Sequence, residues 1–457
     1  MEEREGYEAA ISQAGEWGRW QWRMVAVMMS PAAVASLATL SWIFTAQAGE
    51  GEEQSILSSL DLEAEDRRWL GSVLAPVFMV GMLVGAPVLG CLSDRQGRLP
   101  SILLSLAVTT TAGSLLPAGP SSLPWHLALR FITGLGAGGV LVGNFVYLVE
   151  WSSSASSHYW RFRSALALHL GWNLGQLVLV VVSSLTHHWR LLQLVTHLIG
   201  LPVLLLVLLT QPESARWLVS AGKIEKAREV LTKISVTNEK TISESVLKSL
   251  SPPSPHQRGT LTKKLVARLG LTGYLWFAAN LCYYGLHFTM ASLHGNIHLN
   301  FFLLVLAEVS ANFFTHLVAL PYLGRKRSLV VFLLVCSSVL ILNSVIPADA
   351  TTLRISLTLA GKFAATANFN SIYFYTCELF PTTVRSTSLG FCSTMGRLGG
   401  ITAVFLASSA SWMSVYLPPL IISAAPLLSA LLCLLLPDTK HTALPDTFHQ
   451  ADNIGST

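Results

Sequence analysis

The stretch STMGRLGGI, residues 393–401, lies within an apolar, glycine-dotted run that extends from Val384 to Ser411. One full positive charge, Arg397, stands near the middle of that run. A helix needs about 20 mostly apolar residues to cross the hydrocarbon core of a bilayer, which is about 30 Å thick. The run is therefore long enough to span a membrane, and it predicts a transmembrane helix that carries a cation at depth.

The composition of the whole chain agrees with a membrane protein. Of its 457 residues, 52% are hydrophobic and only 12% are charged. An ordinary soluble domain carries about twice that charged share. The net charge of +5 follows the predicted membrane orientation described below, so we expect no nucleic-acid partner.

Twelve runs are long and apolar enough to cross a bilayer. They are residues 24–47, 69–92, 101–118, 123–149, 162–184, 190–210, 269–292, 298–320, 328–346, 352–376, 384–410 and 412–436. Each is predicted to be helical, because an open strand in lipid would leave its backbone groups unpaired. The sequence therefore predicts an all-α, polytopic membrane protein.

The basic residues orient these spans. When both termini are placed in the cytosol, most of the 30 Lys and Arg residues fall on the cytosolic side, as membrane proteins prefer. The N-terminal stretch MEEREGYEAA is acidic and polar, which is not typical of a cleavable signal peptide. We expect a multi-pass protein of the plasma membrane with both termini in the cytosol.

The chain repeats itself weakly, which predicts two pseudo-symmetric six-helix bundles. Gly97-Arg98 and Gly324-Arg325 are 227 residues apart, and Glu150 and Glu378 are 228 apart. Such internal symmetry is common in secondary transporters. The predicted domains are an N-terminal bundle over 1–210, a cytosolic linker over 211–268, a C-terminal bundle over 269–437 and a cytosolic tail over 438–457.

Within the linker, an amphipathic helix is predicted near 212–235. Its apolar face carries Trp217, Ile224, Ala227, Leu231 and Ile234, which follow helical spacing. The alternative is a disordered linker, which we expect equally for the rest of the segment, where SPPSP at 251–255 breaks any helix.

Several motifs, in this order and spacing, resemble the major facilitator superfamily and, more narrowly, solute carrier family 22, the organic cation and anion transporters. They are GCLSDRQGR (90–98), RFITGLGAGG (130–139), PESARWL (212–218), YYGL (283–286), GNIHLNFFL (295–303) and YTCELFPTTVRSTSLG (375–390). Two features depart from the family pattern: the loop after the first helix is short, and PYLGRKR lacks an acid that would mirror Asp94. The resemblance implies that Asp94, Arg95 and Arg98 pair across the cytosolic face and gate the transporter.

Three cations remain within the predicted spans: Arg130, Lys362 and Arg397. A charge at mid-bilayer costs at least about 2.5–3.5 kcal/mol on insertion scales, so each needs a partner or a wet cavity. Arg130 is expected to have a structural role. Lys362 and Arg397 are predicted near the midplane, where Glu308 is the only deep acid. One carboxylate cannot neutralise two cations, so at least one positive charge is expected to await a ligand.

The alternative is that Arg397 pairs permanently with Glu308 as scaffold. The resemblance implies the ligand-binding role, because Lys362 and Arg397 fall where organic anion carriers place a lysine and an arginine. Those carriers also have a lysine in their eighth membrane span. It is missing from the corresponding span here, 298–320, where Asn312 or Phe313 stands in its place.

The remaining candidate substrate-binding residues are mostly aromatic, and ordinary packing is the alternative for each of them. They are Tyr283, Tyr284, Phe369, Tyr373, Trp172, Gln176 and Ser393. Phe369 and Tyr373 are four residues apart and share a helix face. Apolar walls with few polar groups suit a small amphipathic ion.

Charges at helix ends and membrane histidines allow two readings each. Glu150 could pair with Arg161 or Arg163, and Glu378 with Arg385, or these charges could simply extend toward water. Five histidines in the spans could relay protons, but their sequence spacing to carboxylates favours structural roles; they are His126, His169, His197, His287 and His316.

The predicted function is secondary transport of small organic anions, with a counter-anion in exchange. The sequence contains no phosphate loop, no nucleophile–base motif and no metal-ligand spacing among its six cysteines, so we expect no enzyme, no cofactor and no metal. The alternatives are a transport-inactive receptor or trafficking scaffold, and an organic cation transporter that uses Glu308. We expect a monomer in the lipid bilayer.

Overall fold

The computed structural model describes residues 2–15, 18–46, 55–62, 64, 68–151, 157–186, 188–251, 262–291, 295–347, 350–381, 384–409, 417–439, 445 and 448–454. The described residues are overwhelmingly helical and contain no strand. The predicted all-α fold is confirmed. Long apolar runs favour helices in lipid because a helix pairs its own backbone groups.

The described residues of the first half of the chain form thirteen α-helices. They are α1 (Glu2–Gly15), α2 (Arg19–Leu40), α3 (Trp42–Thr45), α4 (Ile56–Ser59), α5 (Arg68–Gln96), α6 (Arg98–Leu115), α7 (Leu123–Glu150), α8 (Ser157–Leu185), α9 (Trp189–Leu198), α10 (Gly200–Thr210), α11 (Ala215–Ser220), α12 (Ile224–Thr237) and α13 (Glu244–Lys248). A short 3₁₀ segment, Leu116–Ala118, follows α6.

In the second half, the part of the chain that the structure describes forms eight further α-helices. They are α14 (Lys263–Ala291), α15 (Ile297–Phe314), α16 (Leu320–Tyr322), α17 (Arg325–Val345), α18 (Thr351–Leu379), α19 (Arg385–Ser409), α20 (Leu417–Leu434) and α21 (Phe448–Asn453). A π-helical segment, Thr315–Ala319, separates α15 from α16.

Ten helical stretches of the described chain are long and apolar enough to cross a membrane. Two predicted spans are not among them. Helix α18 has 29 residues, but its interior carries buried polar side chains, Lys362, Asn368 and Asn370 among them, which lower its mean hydropathy. The apolar part of α20 covers Leu420–Leu434, because the predicted span 412–436 begins on residues outside the described ranges. With these two helices the twelve predicted crossings are accounted for.

The sixth predicted span, 190–210, is observed as two helices, α9 and α10, that meet at Ile199. Pro202 lacks the backbone N–H that would bond back to Leu198, so the regular helix is interrupted near this point.

The chain packs as two compact units. The first comprises residues 1–60 and 80–255, and the second comprises residues 61–79 and 256–457. Helix α5 contributes to both. Within the first unit, glycines allow close approach of α5 and α7: a methyl group at Gly85 would lie 2.0 Å from the Leu135 carbonyl oxygen.

The amphipathic helix predicted in the linker is observed as two helices, α11 and α12. Gly222 adopts φ +73°, a left-handed conformation that glycine tolerates, and it turns the chain between α11 and α12. The side chains of Trp217, Ala227, Leu231 and Ile234 are buried as the apolar face predicted, and Ile224 is partly buried.

Helix α1, at the N-terminus, was not predicted. Tyr7, Ala10, Ile11 and Ala14 follow helical spacing and are buried in the core of the first unit. The Tyr7 hydroxyl donates to the backbone carbonyl of Glu150 at 2.9 Å. The sequence contains this helical spacing, but the acidic residues around it make the segment look polar throughout.

The two chain ends are held by side chains far away in sequence. The amide nitrogen of Asn238 donates to the carbonyl oxygens of Ala14 and Gly15 at 2.8 and 3.1 Å. In the second unit, Arg268 donates to the carbonyl oxygens of Ala451 and Ile454 at 2.5 and 3.0 Å. The predicted tail therefore includes an ordered helix, α21.

Candidate functional site

Glycines pack the helix that carries Arg397 closely against α14. A methyl group at Gly399 would lie 2.1 Å from the Phe277 carbonyl oxygen, and one at Gly396 would lie 2.5 Å from the Asn280 side chain. Gly396 and Gly399 are buried, whereas Arg397 between them is half-buried. The glycines of STMGRLGGI thus bring α19 close to α14 at positions on either side of Arg397 in the sequence.

The second membrane cation, Lys362 on α18, lies in an enclosed cluster. Its Nζ atom is 2.9 Å from Glu308 Oε1, 2.5 Å from His287 Nδ1 and 3.2 Å from the Tyr283 carbonyl oxygen. The Tyr283 hydroxyl donates to Glu308 Oε2 at 3.0 Å. Three helices, α14, α15 and α18, therefore converge on one buried ion pair, which we call the Glu308–Lys362 cluster.

This arrangement bears on two interpretations of the sequence. Glu308 was the proposed scaffold partner of Arg397, but its Oε1 atom binds Lys362. His287 was placed with the structural histidines because no carboxylate lies near it in sequence. Its Nε2 atom is 3.4 Å from Glu308 Oε1, a proximity that comes from the packing of α14 on α15 and not from spacing along one helix.

Four predicted aromatic residues are brought together by α14 and α18. The ring centroids of Tyr283 and Tyr284 are 5.2 Å apart, those of Tyr283 and Phe369 are 5.8 Å apart, and those of Phe369 and Tyr373 are 5.3 Å apart. Arg397 interacts electrostatically with both Tyr284 and Tyr373. The predicted guanidinium and aromatic residues thus belong to one continuous group.

Sequence reasoning missed Trp276, which belongs to the same group. Its ring centroid is 4.3 Å from that of Tyr373, and its Nε1–H donates to Thr376 Oγ1 at 2.9 Å. Trp276 lies seven residues before Tyr283, about two helical turns on the same face, and this spacing could have identified it.

The resemblance aligns either Asn312 or Phe313, both on α15, with a lysine of the organic anion carriers. Asn312 is 1% exposed and its Oδ1 accepts a hydrogen bond from Asn370 at 2.7 Å, whereas Phe313 is 41% exposed. Of the two residues that the alignment of motifs left open, Asn312 is the one that faces the protein interior.

The remaining predicted substrate residues lie apart in the chain. Ser393 is half-buried on α19, one turn before Arg397. Trp172 and Gln176 lie on α8 of the first unit, where Gln176 is buried and Trp172 packs partly buried against the core. Their part in binding stays a prediction.

Arg130 is buried in the first unit and lies over an aromatic ring of a neighbouring helix. Its Cζ atom is 4.3 Å from the ring centroid of Trp42 on α3. A guanidinium over an indole face is a favourable cation–π arrangement. This contact agrees with the structural role expected for Arg130.

The charges at the helix ends have partners that the sequence did not indicate. The predicted partners of Glu150, Arg161 and Arg163, have side chains outside the described residues, so that pairing stays a prediction. The Glu150 carboxylate binds Arg98 at 2.8 Å, and Arg98 also bonds to the exposed Asp94. Sequence separation hid this pair because Arg98 lies 52 residues before Glu150.

The same contact recurs in the second unit. Glu378 was expected to pair with Arg385, whose side chain also lies outside the described residues, but its carboxylate binds Arg325 at 2.9 Å. Gly97 and Gly324 precede the two arginines with φ values of +121° and +80°, which favour glycine. Both halves of the repeat therefore have a glycine turn and an Arg–Glu pair, although the second turn lacks a counterpart of Asp94.

Arg95, which the resemblance implied to be a gating residue together with Asp94 and Arg98, is exposed.

Glu213, for which the sequence predicted no role, binds the backbone of the first of these glycine turns. Glu213 Oε1 accepts hydrogen bonds from the backbone N–H groups of Arg98, Leu99 and Ser214 at 2.9, 3.3 and 2.8 Å. Burial raises the pKa of Glu213 above its ordinary value, and the three backbone donors oppose that shift because they favour the ionised form. Its place within PESARWL was the signal that could have identified it.

Comparisons with known proteins agree with this architecture. A family described as sugar (and other) transporter matches residues 35–446. The chain is 31% identical over 392 residues to human solute carrier family 22 member 13, covering 85% of this chain and 70% of that protein. It is 31% identical over 396 residues to Xenopus laevis solute carrier family 22 member 6-A, covering 82% of this chain and 68% of that protein.

Human organic anion transporter 3 is 28% identical over 421 residues, covering 88% of this chain and 75% of that protein. Among solved structures, the partially occluded inward-open xylose transporter XylE from E. coli superposes with a TM-score of 0.72 at 17% identity, covering 93% of this chain and all of that one. Human organic anion transporter MFSD10 superposes with a TM-score of 0.62 at 18% identity, covering 90% and 99%. The protein is therefore a multi-pass membrane transporter with the major facilitator fold, and it belongs to solute carrier family 22.

Proposed function

We propose that the protein is a secondary transporter of small organic anions that works by alternating access, in which the substrate site opens to one side of the membrane at a time. The cationic and aromatic group on α14, α18 and α19 is the proposed substrate site. The observation that carries the proposal is the position of Arg397, half-buried and interacting with Tyr284 and Tyr373.

The charges of the second unit support an anionic substrate. In the described middle portions of its membrane helices there are two cations, Lys362 and Arg397, and one carboxylate, Glu308. Glu308 forms an ion pair with Lys362. The summed charge of Lys362, Arg397 and Glu308 is therefore one positive charge. A cation in a low-dielectric site is stabilised by an anion.

The chemistry of the side chains supports the same substrate class. A guanidinium binds a carboxylate or a sulfate through two parallel hydrogen bonds, a geometry that a lysine ammonium does not offer. The adjacent tyrosine, phenylalanine and tryptophan rings suit an apolar or aromatic substituent on the same molecule. One of the similar proteins bears the name organic anion transporter.

The proposal includes the arrangement of the chain. We place both termini and the linker helices in the cytosol and the protein in the plasma membrane, and we keep the division into bundles over 1–210 and 269–437 with a linker over 211–268. The transporter acts as a monomer and exchanges its substrate for a counter-anion. Asp94, Arg98, Glu150, Arg325 and Glu378 stabilise one of its alternating states.

The test is uptake of labelled probes by the purified full-length protein in liposomes: an aryl carboxylate, an aryl sulfonate and a quaternary ammonium ion. We expect uptake of both anions by the wild type and loss of both with Arg397→Ala and Arg397→Asp. Arg327→Ala is the control, because Arg327 is exposed in the same unit, and it should transport normally.

Two other outcomes would replace the proposal. Uptake of none of the probes by a correctly folded wild type would favour a receptor or trafficking scaffold. Uptake of the ammonium ion that survives Arg397→Ala and is lost with Glu308→Gln would favour cation transport. The ion pair of Glu308 with Lys362 disfavours the latter, since it already satisfies the carboxylate.

A further inference from the structure

We propose that Glu308 is a proton-binding site and that the transporter takes up one proton with each anion it carries. This inference rests on the proposed function and adds the proton to it: exchange of substrate for a counter-anion needs no net proton transfer, whereas net uptake of an anion takes up a proton as well. It comes from the Glu308–Lys362 cluster, where a carboxylate, an ammonium and an imidazole meet within the membrane part of the second unit.

The cluster is closed to water. Glu308 is 1% exposed, Lys362 and His287 are 0% exposed and Tyr283 is 8% exposed. The ion pair is therefore not screened by solvent, and removing either charge would leave the other uncompensated in a medium of low dielectric constant. The charge of this cluster is consequently sensitive to whatever binds beside it.

The charged groups of the cluster lie within reach of one another. The Lys362 ammonium has three donors, and its Nζ atom is 2.9 Å from Glu308 Oε1, 2.5 Å from His287 Nδ1 and 3.2 Å from the Tyr283 carbonyl oxygen. The other ring nitrogen of His287, Nε2, is 3.4 Å from Glu308 Oε1, so the imidazole lies between the two charges. The carboxylate is the acidic member of the cluster, and its protonation removes the only negative charge of the cluster.

Protonation of Glu308 changes the cluster from neutral to singly positive. That state is unfavourable in isolation, because the Lys362 charge loses its counter-charge. An anion bound beside Lys362 and Arg397 supplies the missing negative charge. Proton and anion therefore stabilise each other's binding, and this coupling is reciprocal by thermodynamic necessity.

The groups that face the carboxylate come from each neighbouring helix. Tyr283 and His287 of α14 and Lys362 of α18 contact it directly, and Tyr284 of α14 interacts with it electrostatically. Farther out, Cys336 of α17 interacts with Lys362. Arg397 of α19 interacts with Tyr284, which links the proposed anion site to the proposed proton site through one side chain.

The cycle balances in atoms and charge. A proton from water on the side of uptake binds a Glu308 carboxylate oxygen, the anion binds at Arg397 beside the cluster, and both leave on the opposite side. The O–H bond formed at Glu308 breaks on release, and the Glu308–Lys362 ion pair forms again. For a monovalent anion the step moves no net charge.

The test uses the purified full-length protein in liposomes with naphthalene-1-sulfonate as probe. An aryl sulfonate stays ionised across the accessible pH range, so any proton that moves with it is carried by the protein. The membrane potential is clamped to zero with potassium and valinomycin. When the outside is one pH unit more acidic than the inside, the sulfonate should accumulate inside the liposomes by up to about tenfold. A trapped pH-sensitive dye should report acidification of the interior.

Glu308→Gln should still exchange internal for external sulfonate, because exchange needs no net proton transfer, but it should lose the response to the pH gradient. His316→Gln is the matched control: His316 is a buried histidine of the same unit whose Nδ1 atom lies 2.6 Å from the Asn312 carbonyl oxygen of the preceding helical turn. It should keep the response.

Wild-type sulfonate exchange that ignores the pH gradient and leaves the dye unchanged would overturn the coupling alone, as would a Glu308→Gln variant that follows the gradient like the wild type. The wild-type dye measurement decides the matter if Glu308→Gln does not fold. Absence of any sulfonate movement would contradict the proposed function, and the coupling would fall with it.

Discussion

Gly399 on α19 lies so close to the Phe277 carbonyl oxygen on α14 that a methyl group in its place would be 2.1 Å from that oxygen. Backbone atoms of a packed helix cannot move aside as a flexible side chain can. The contact therefore fixes the spacing of the two helices that carry Arg397, Tyr283 and Tyr284.

We predict that Gly399→Ala destabilises the protein by about 1–3 kcal/mol, the usual cost of overpacking a helix contact. The measurement is the Tm of the detergent-purified protein. Gly390→Ala on the same helix is the control, because no heavy atom lies within 4 Å of the added methyl group. That variant should be neutral or gain up to about 1 kcal/mol from better helix propensity. Equal Tm values for the two variants would contradict the close contact.

The buried ion pair predicts a strong effect of removing one charge and a weaker effect of removing both. Lys362→Met should destabilise the protein by about 3–5 kcal/mol, because it leaves Glu308 charged and uncompensated. The double variant Lys362→Met/Glu308→Gln should recover much of that loss. Thermal unfolding of the three proteins checks this expectation. A double variant that is less stable than Lys362→Met would show that the two side chains do not compensate each other.

Glu213 predicts a pH dependence of stability. Burial raises its pKa in the folded protein, whereas the unfolded chain keeps the ordinary value, so the folded state binds the proton more tightly. The contribution of Glu213 to stability therefore improves as pH falls through its folded pKa and worsens as pH rises.

We expect the Tm of the wild type, relative to that of Glu213→Gln, to rise as the pH is lowered from 7 toward 4. Glu229→Gln serves as a control, since Glu229 is exposed on α12. A Tm difference between wild type and Glu213→Gln that stays constant over this range, or that changes in the opposite direction, would contradict the prediction.

Asn238 predicts how firmly the N-terminal helix is attached. Its side chain accepts from the Trp20 N–H at 2.9 Å and donates to the carbonyl oxygens of Ala14 and Gly15 and to Gln21 Oε1. Asn238→Ala should weaken the attachment of α1 by about 1–3 kcal/mol, because several of these groups lose their partner.

Hydrogen exchange of the backbone amides of residues 2–15 measures this attachment. Exchange in α1 should accelerate by about tenfold or more in Asn238→Ala, while exchange in α14 stays unchanged. Thr237→Ala, which alters the neighbouring, partly buried residue of α12 whose hydroxyl bonds within its own helix, should leave α1 protected. Unchanged exchange in Asn238→Ala would mean that the apolar contacts of Tyr7 and Ile11 hold α1 without these hydrogen bonds.

The elements predicted best are those whose signal is local. Apolar length identified the membrane helices, and the offsets of Gly97 and Glu150 from Gly324 and Glu378 identified the repeat. Local signals failed where tertiary packing decides. Helix α18 is less apolar than its neighbours because Lys362 and Asn370 are buried against other helices, and α1 looks polar because only one of its faces is buried.

The candidate site shows the same division. Helical spacing placed Phe369 and Tyr373 on one face, and they are in contact. The partners of the charged groups were not predictable, because each is supplied by another helix: His287 lies 75 residues before Lys362 and Arg98 lies 52 residues before Glu150. Periodicity gives the face of a helix but not the rotation with which two helices meet.

The attachment of α1 has a consequence for synthesis. The Ala14 carbonyl oxygen accepts a hydrogen bond from Asn238, which lies 224 residues later in the chain. Helix α1 therefore leaves the ribosome long before the Asn238 side chain that binds it has been synthesised. At about 5–20 residues per second, the delay is about 10–45 s. During that interval α1 is open to chaperones and proteases, and its attachment follows the synthesis of α12.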